Sequence, residues 1–224
     1  MKTALQLVGT SLLGLVVFGA LLFWPAGTFD YWQGWAFIAV FSICTLVPSI
    51  YLLVKDPAAL QRRMRAGPTA ETRTTQRIVI TGSFLLLPAV IVLSVLDHRF
   101  GWSPVPAAVS VIGAALVAIG LGLTQLVVIQ NSYAAANISV ESDQRVVSTG
   151  LYGLVRHPMY VGVLFMMAGI PLALGSYWGL LVLVPGVVGL AVRILDEEKM
   201  LRQELTGYPE YTQKVRYRLV PYVW

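Results

Sequence analysis

The sequence predicts an all-α, polytopic membrane protein with about six transmembrane helices and a cytoplasmic C-terminal catalytic region. Three observations carry that reading. The 224-residue chain is 57% hydrophobic and 12% charged, against about 25% charged in a soluble domain, so most of its apolar surface needs lipid as its solvent. Six apolar runs can be drawn, near residues 4–24, 32–54, 78–96, 105–130, 159–174 and 177–195. The basic residues are also segregated between the loops that such crossings create.

The first run follows Met1-Lys2. It is longer than the core of a secretory signal and meets no small-x-small cleavage site before Trp24-Pro25, so it reads as a retained helix. The first four runs reach the roughly 20 residues that a crossing helix needs. The last two are shorter and are joined only by Gly175-Ser176-Tyr177, which predicts a tight helical hairpin near one face.

With six crossings, one face holds Lys2, the basic residues between Lys55 and Arg77, Arg145, Arg156, and those from Arg193 to Arg218; the other holds only Arg99. That asymmetry predicts a multi-pass protein with both termini and the polar motifs in the cytoplasm, and the expected location is the inner membrane of a bacterial or archaeal cell. The net charge of +5 is then accounted for by anionic headgroups of the membrane lipids, its expected neighbours. No folded basic domain is large enough to grip a duplex, so nucleic acid is excluded as a partner. Cys44 is the single cysteine and the two histidines, His98 and His157, fall on opposite faces, so no metal site is expected.

Between the first two runs, Trp24 to Trp32 form an aromatic turn of the kind that sits at a membrane edge. The loop from Lys55 to Arg77 reads either as a topology-setting segment touching headgroups or as an amphipathic piece holding a lipid substrate near the active site. Asp97-His98 lies in a short outer turn and reads as surface. Gly113, Gly120 and Gly122 in the fourth run allow close helix approach, within one chain or between chains alike. The end of that run, Gln125 to Asn137, turns polar and needs protein or a cavity beside it. Residues 138–149 read as a cytoplasmic loop with short extended pieces. The chain thus divides into 1–130, a helical bundle, and 131–224, a catalytic region with a cofactor loop, a helical hairpin and an amphipathic tail whose helix ends at Gly207 and Pro209.

Chemistry concentrates in that second part. Residues 148–162 gather Tyr152, Arg156, His157 and Tyr160 around Gly150, Gly153 and Pro158. Pro158 suits the first turn of a helix, which puts Arg156 and His157 at a helix N-terminus with open backbone donors, a place for a carboxylate. The tyrosines offer faces for an adenine ring or a sulfonium cation; anchoring of the fifth helix is the competing reading. Arg193 and Glu197 stand four apart on one helix, where a structural ion pair is the simplest reading, and Glu197 and Glu198 point to different sides of it.

Three blocks in order, G-x-Y-x-x-x-R-H-P-x-Y-x-G at 150–162, E-E-x-x-L at 197–201 and Y-x-x-Y-x-x-x-V-x-x-R-x-x-P at 208–221, resemble the isoprenylcysteine carboxyl methyltransferase family and its relatives, the membrane phospholipid methyltransferases. The resemblance covers about residues 131–224. It implies S-adenosyl-L-methionine as cofactor, held by Asn137, Gln144, Arg145, Val146, Val147, Tyr152, His157, Tyr160 and Glu198, with Gln144 where the eukaryotic enzymes usually have histidine. It also implies Arg193 and Arg156 near the methyl acceptor. Glu197 or Tyr160 is the base candidate should the acceptor be an amine or phenol, while the arginines favour a lipophilic acid. The function expected is methyl transfer to a lipophilic acceptor that enters from the bilayer. The competing readings are an NADPH-dependent membrane reductase and a non-enzymatic scaffold.

Overall fold

The computed structural model describes residues 2–64, 71, 73–134 and 144–224, and every regular element among them is helical. In chain order these are α1 (Lys2–Ala26), α2 (Trp32–Lys55), α3 (Pro57–Met64), α4 (Thr74–Phe100), α5 (Ala107–Gln130), a 3-10 turn at Gly150–Gly153, α6 (Pro158–Ala173), a second 3-10 segment at Trp178–Val182, α7 (Leu183–Glu204) and α8 (Tyr208–Lys214).

Five helical units are long and apolar enough to cross a membrane: α1, α2, α4, α5 and the unit Trp178–Glu204 in which the 3-10 segment runs into α7. The expected closing hairpin of two short helices is therefore half right. Only α6, with 16 residues, is short; the chain after Tyr177 gains length because the polar residues Arg193 to Glu204 continue the same helix. The apolar run stops near residue 195, and the tail was expected to begin as an extension of the same helix, as it does.

The tightest contact in the bundle is between α5 and α6, which run antiparallel. Gly113, Gly120, Gly162 and Gly169 meet across it: a Cβ on Gly120 would lie 2.5 Å from the carbonyl oxygen of Gly162, and one on Gly169 would lie 2.8 Å from that of Gly113. In lipid, where burying apolar side chains gains little, such small residues let backbones pack and supply the association energy. Gly122, expected in the same role, has nothing within 4 Å of its Cβ position and lies off this seam.

At the end of the bundle that carries Arg99, a second polar centre forms. Asp97 was expected on the surface; its side chain is fully buried. It accepts hydrogen bonds from Ser103 N at 2.8 Å and Trp178 N at 3.3 Å, and from the hydroxyls of Ser103 and Ser176 at 2.5 Å each. His98 beside it stays exposed. Tyr31 donates from its hydroxyl to the Leu174 carbonyl at 2.7 Å, tying α2 to the end of α6. Four donors around one buried carboxylate satisfy its lone pairs and lock the turns after α4 and α6 together.

Among the described residues, the basic side chains of α3, of the α4 N-terminus and of the tail gather at the opposite end. There α3 packs through Ala59 and Leu60 against Leu52 and Val128, and Arg73, at the N-cap of α4, makes a two-pronged contact with Asp196, at 3.0 and 2.6 Å. That hydrogen-bonded ion pair raises the Arg73 pKa. The tail corrects another expectation. The helix α7 already ends at Glu204 with Leu205 as its C-cap, while Gly207, at φ +85°, caps the start of a new helix, α8, whose first turn holds Pro209.

Candidate active site

At this end α5, the 144–157 segment, α7 and α8 enclose a cavity with about 780 Å³ of empty space, part of it open to the outside. Of the residues singled out from the sequence, Gln144, Arg145, Val146, Val147, Tyr152, Arg156, His157, Tyr160 and Glu197 all line it. Asn137 lies outside the described residues. The tail adds Tyr208 and Tyr211, and the end of α5 leads into Asn131 and Tyr133 at the rim.

The wall is held by contacts that the motif spacing explains. Gly150, at φ +59°, passes so close to Gln130 that a Cβ would lie 2.8 Å from its Oε1; the same Oε1 accepts from Leu151 N at 3.0 Å. The close approach that Gly150 permits is thus to a side chain of α5. Tyr152 follows, its hydroxyl accepting from Asn131 Nδ2 at 3.3 Å and its carbonyl accepting from the Tyr211 hydroxyl at 2.7 Å. Burial pushes the Tyr152 pKa up to about 12, and it also raises those of Tyr208 and Tyr211. All three phenols therefore stay protonated at neutral pH, as hydrogen-bond donors and not as bases.

Pro158 starts α6, with His157 at its N-cap. The N–H groups of the two residues before the helix are taken. Arg156 N donates to the Tyr217 carbonyl and His157 N to that of Arg218, both at 2.9 Å. The tail thus clamps the R-H-P block from behind, and the side chains of Arg156 and His157 are what face the cavity.

Glu198 lies behind that wall, 3% exposed. Its Oε1 is 3.0 Å from Arg156 Nε, an ion pair without a linear hydrogen bond, and 3.3 Å from His157 Nε2. Its Oε2 accepts from Arg218 Nε and Nη2, both at 3.2 Å. All three sequence blocks therefore converge on one carboxylate, which sits between two guanidinium groups. Glu198 is absent from the cavity lining, where its neighbour Glu197 stands.

Glu197 belongs to a second network. It accepts from the Tyr160 hydroxyl at 2.7 Å, and that hydroxyl accepts from Arg193 Nε at 3.0 Å. Arg193 does not line the cavity; it is 6% exposed and also donates to Gln76 Oε1 and Glu71 Oε1, each at 3.0 Å. The simple Arg193–Glu197 pair is thus routed through a tyrosine. Glu71 and Gln76 were missed from the sequence, where the only signal for Glu71 is an acidic residue inside a basic loop. Arg193→Lys is expected to lower stability by about 1–3 kcal/mol, because an ammonium cannot serve three acceptors in a plane and leaves buried oxygens unsatisfied. Thermal melting in detergent reads that loss; an unchanged melting temperature would contradict the role.

Residues 109–206 match the phospholipid methyltransferase family model. The match spans the α5–α6 seam, the glycine turn, the R-H-P block and both glutamates. Among solved structures, the chain is similar to a eukaryotic intramembrane Ras methyltransferase, isoprenylcysteine carboxyl methyltransferase, at TM-score 0.56 and 18% identity, covering 99% of this chain and 97% of that one. That likeness shows a shared polytopic helical fold. Together the family match and the fold support a membrane methyltransferase, the coarse function expected from the sequence blocks.

Proposed function

We propose that the protein is an S-adenosylmethionine-dependent methyltransferase that modifies a lipophilic acceptor, favouring the carboxylate of an isoprenylcysteine-like or other lipid, at the cytoplasmic face of its membrane. The observation that carries this is the cavity itself, where the family-matched blocks meet between helices that cross the bilayer. Its lining fits the cofactor chemically. Tyr152, Tyr208 and Tyr211 offer aromatic faces to an adenine ring or a sulfonium, Glu197 offers a carboxylate to an ammonium or ribose hydroxyls, and the 144–147 segment brings main-chain polar groups.

The cofactor would supply an electrophilic methyl group carried on a sulfonium. The protein's part is to hold an acceptor atom within about 3–3.5 Å of that carbon, in line, and to keep water out. A carboxylate acceptor is already nucleophilic and needs only placement, for which Arg156 is the cavity-lining arginine. Arg193 acts one step back, orienting Tyr160 and through it Glu197. An amine acceptor would instead have to lose a proton, and Glu197 is the group positioned to take it. Met159, Met200, Leu201 and Leu205 make one side of the cavity apolar, in keeping with a lipid body.

Calorimetric titration of the detergent-purified protein with S-adenosylmethionine and S-adenosylhomocysteine tests the reading, with NADPH as control. Binding of both sulfur compounds is expected, weakened about tenfold or more in His157→Ala and in Glu197→Gln, the loss for one hydrogen bond to a charged group. Binding of NADPH with neither sulfur compound would falsify the proposal and leave the fold standing.

A further inference from the structure

Away from the candidate active site, α1 and α2 splay apart to form a cleft with about 750 Å³ of empty space, open along one side and closed below by Leu60, Arg63 and Met64 of α3. Its walls are apolar, including Leu7, Leu15, Phe18 and Phe41. Three hydroxyls along it are already spent on their own helices: Ser11 donates to Leu7 O at 2.7 Å, Thr45 to Phe41 O at 2.7 Å and Ser49 to Thr45 O at 2.6 Å.

The foot of the cleft is different. Arg63 reaches inward and donates to Gln125 Oε1 on α5. Burial lowers its pKa, and no carboxylate pairs with it among the described residues. Gln125 is 4% exposed, and its amide Nε2 is buried without any hydrogen-bond partner. Arg63 is thus a half-buried cation that lines the foot of an apolar cleft and has a neutral amide oxygen, not an anion, as its acceptor.

We infer that the α1–α2 cleft is a binding site for an anionic phospholipid, with one acyl chain lying between α1 and α2 and the phosphate held by Arg63. The charge of Arg63 selects an acidic head, and the cleft sits at the end of the bundle where the other basic residues gather, the level of the headgroups. Leu60, Val128 and Met159 belong to one packed cluster, and Met159 also lines the active-site cavity, so this layer separates the lipid from that cavity. The neighbouring Arg62 donates to the Ser132 carbonyl at 2.8 Å and lies 5.2 Å from the centre of the Tyr133 ring, at the cavity rim. The same short helix therefore touches both sites, and a bound lipid steadies it.

Native mass spectrometry of the delipidated protein in mild detergent decides the matter without reference to methyl transfer. Phosphatidylglycerol, phosphatidylcholine with the same chains, and oleate are added separately. One phosphatidylglycerol adduct is expected, at least about tenfold more abundant than the phosphatidylcholine adduct, the scale of a charge-assisted contact. Arg63→Gln removes the charge, and Gly14→Phe fills the cleft from a position whose Cβ meets nothing within 4 Å. Each is expected to reduce the adduct about tenfold, while Arg202→Gln, on the exposed face of α7, leaves it unchanged. Equal binding of the two phospholipids overturns the site, as does an adduct that survives in whichever cleft variant folds. Binding of oleate in preference to phosphatidylglycerol overturns the assignment of a phospholipid.

Discussion

Glu198→Gln is expected to lower stability by about 3–5 kcal/mol and to abolish cofactor binding together with it. The substitution keeps the shape of the side chain and removes its charge. Arg156 and Arg218 then face each other across a buried site with no anion between them, and breaking a buried pair by removing one partner carries a cost of that order. The effect spreads because each partner belongs to a different element. Arg156 and His157 lie just before α6, Glu198 is on α7, and Arg218 is in the tail, whose carbonyls accept from Arg156 N and His157 N. Loss of the carboxylate loosens all three at once. Glu197→Gln supplies the contrast. That side chain is 21% exposed and faces the cavity, so its loss is expected to weaken binding while leaving the melting temperature within a few degrees. Paired melting curves and titrations on the two variants separate a structural hub from a cavity group. Equal melting temperatures for Glu198→Gln and the parent protein would remove Glu198 from the centre of the site.

Those two glutamates also show what could be read from the chain. Their opposite orientation follows from helical periodicity, and the E-E block was legible as a site because acidic residues are rare in so apolar a protein. Which of the two faces the cavity was not legible, since it depends on how α7 rotates against α6 and the tail. Arg218 was visible only as one letter of a block; its purpose appears when the tail folds back on the R-H-P turn. Glu71 and Gln76 had no local signal at all. They matter because the α4 N-terminus lands beside Arg193, a contact between residues more than a hundred positions apart. Asp97 failed for a related reason: its partners Ser103 and Ser176 come from two separate turns. Apolar run lengths, by contrast, gave the membrane fold directly, and differ from it in drawing both closing helices short, where only α6 is.

Gly120→Ala is expected to be strongly destabilising, and Gly122→Ala, two residues away, to be neutral or mildly stabilising. In an isolated helix both replacements would stabilise, because alanine is the better helix former by about 1 kcal/mol. The difference lies in what each new methyl meets. At position 120 it falls 2.5 Å from the Gly162 carbonyl oxygen and 2.9 Å from the Met166 nitrogen, both backbone atoms that cannot swing aside. At position 122 it meets nothing within 4 Å. Relieving the first clash means separating α5 from α6, and overpacking of this kind costs about 1–3 kcal/mol or more, offsetting the gain in propensity. The separation would also reach the candidate active site, because the far end of α5 carries Gln130 and Asn131, which hold Leu151 and Tyr152, while α6 begins at the R-H-P block. Gly120→Ala should therefore lose both melting temperature and cofactor affinity, and Gly122→Ala neither. If the two variants melt alike, the glycine seam is not what fixes the distance between these helices, and the position of the cavity floor must be set instead by the networks around Glu198 and Arg193.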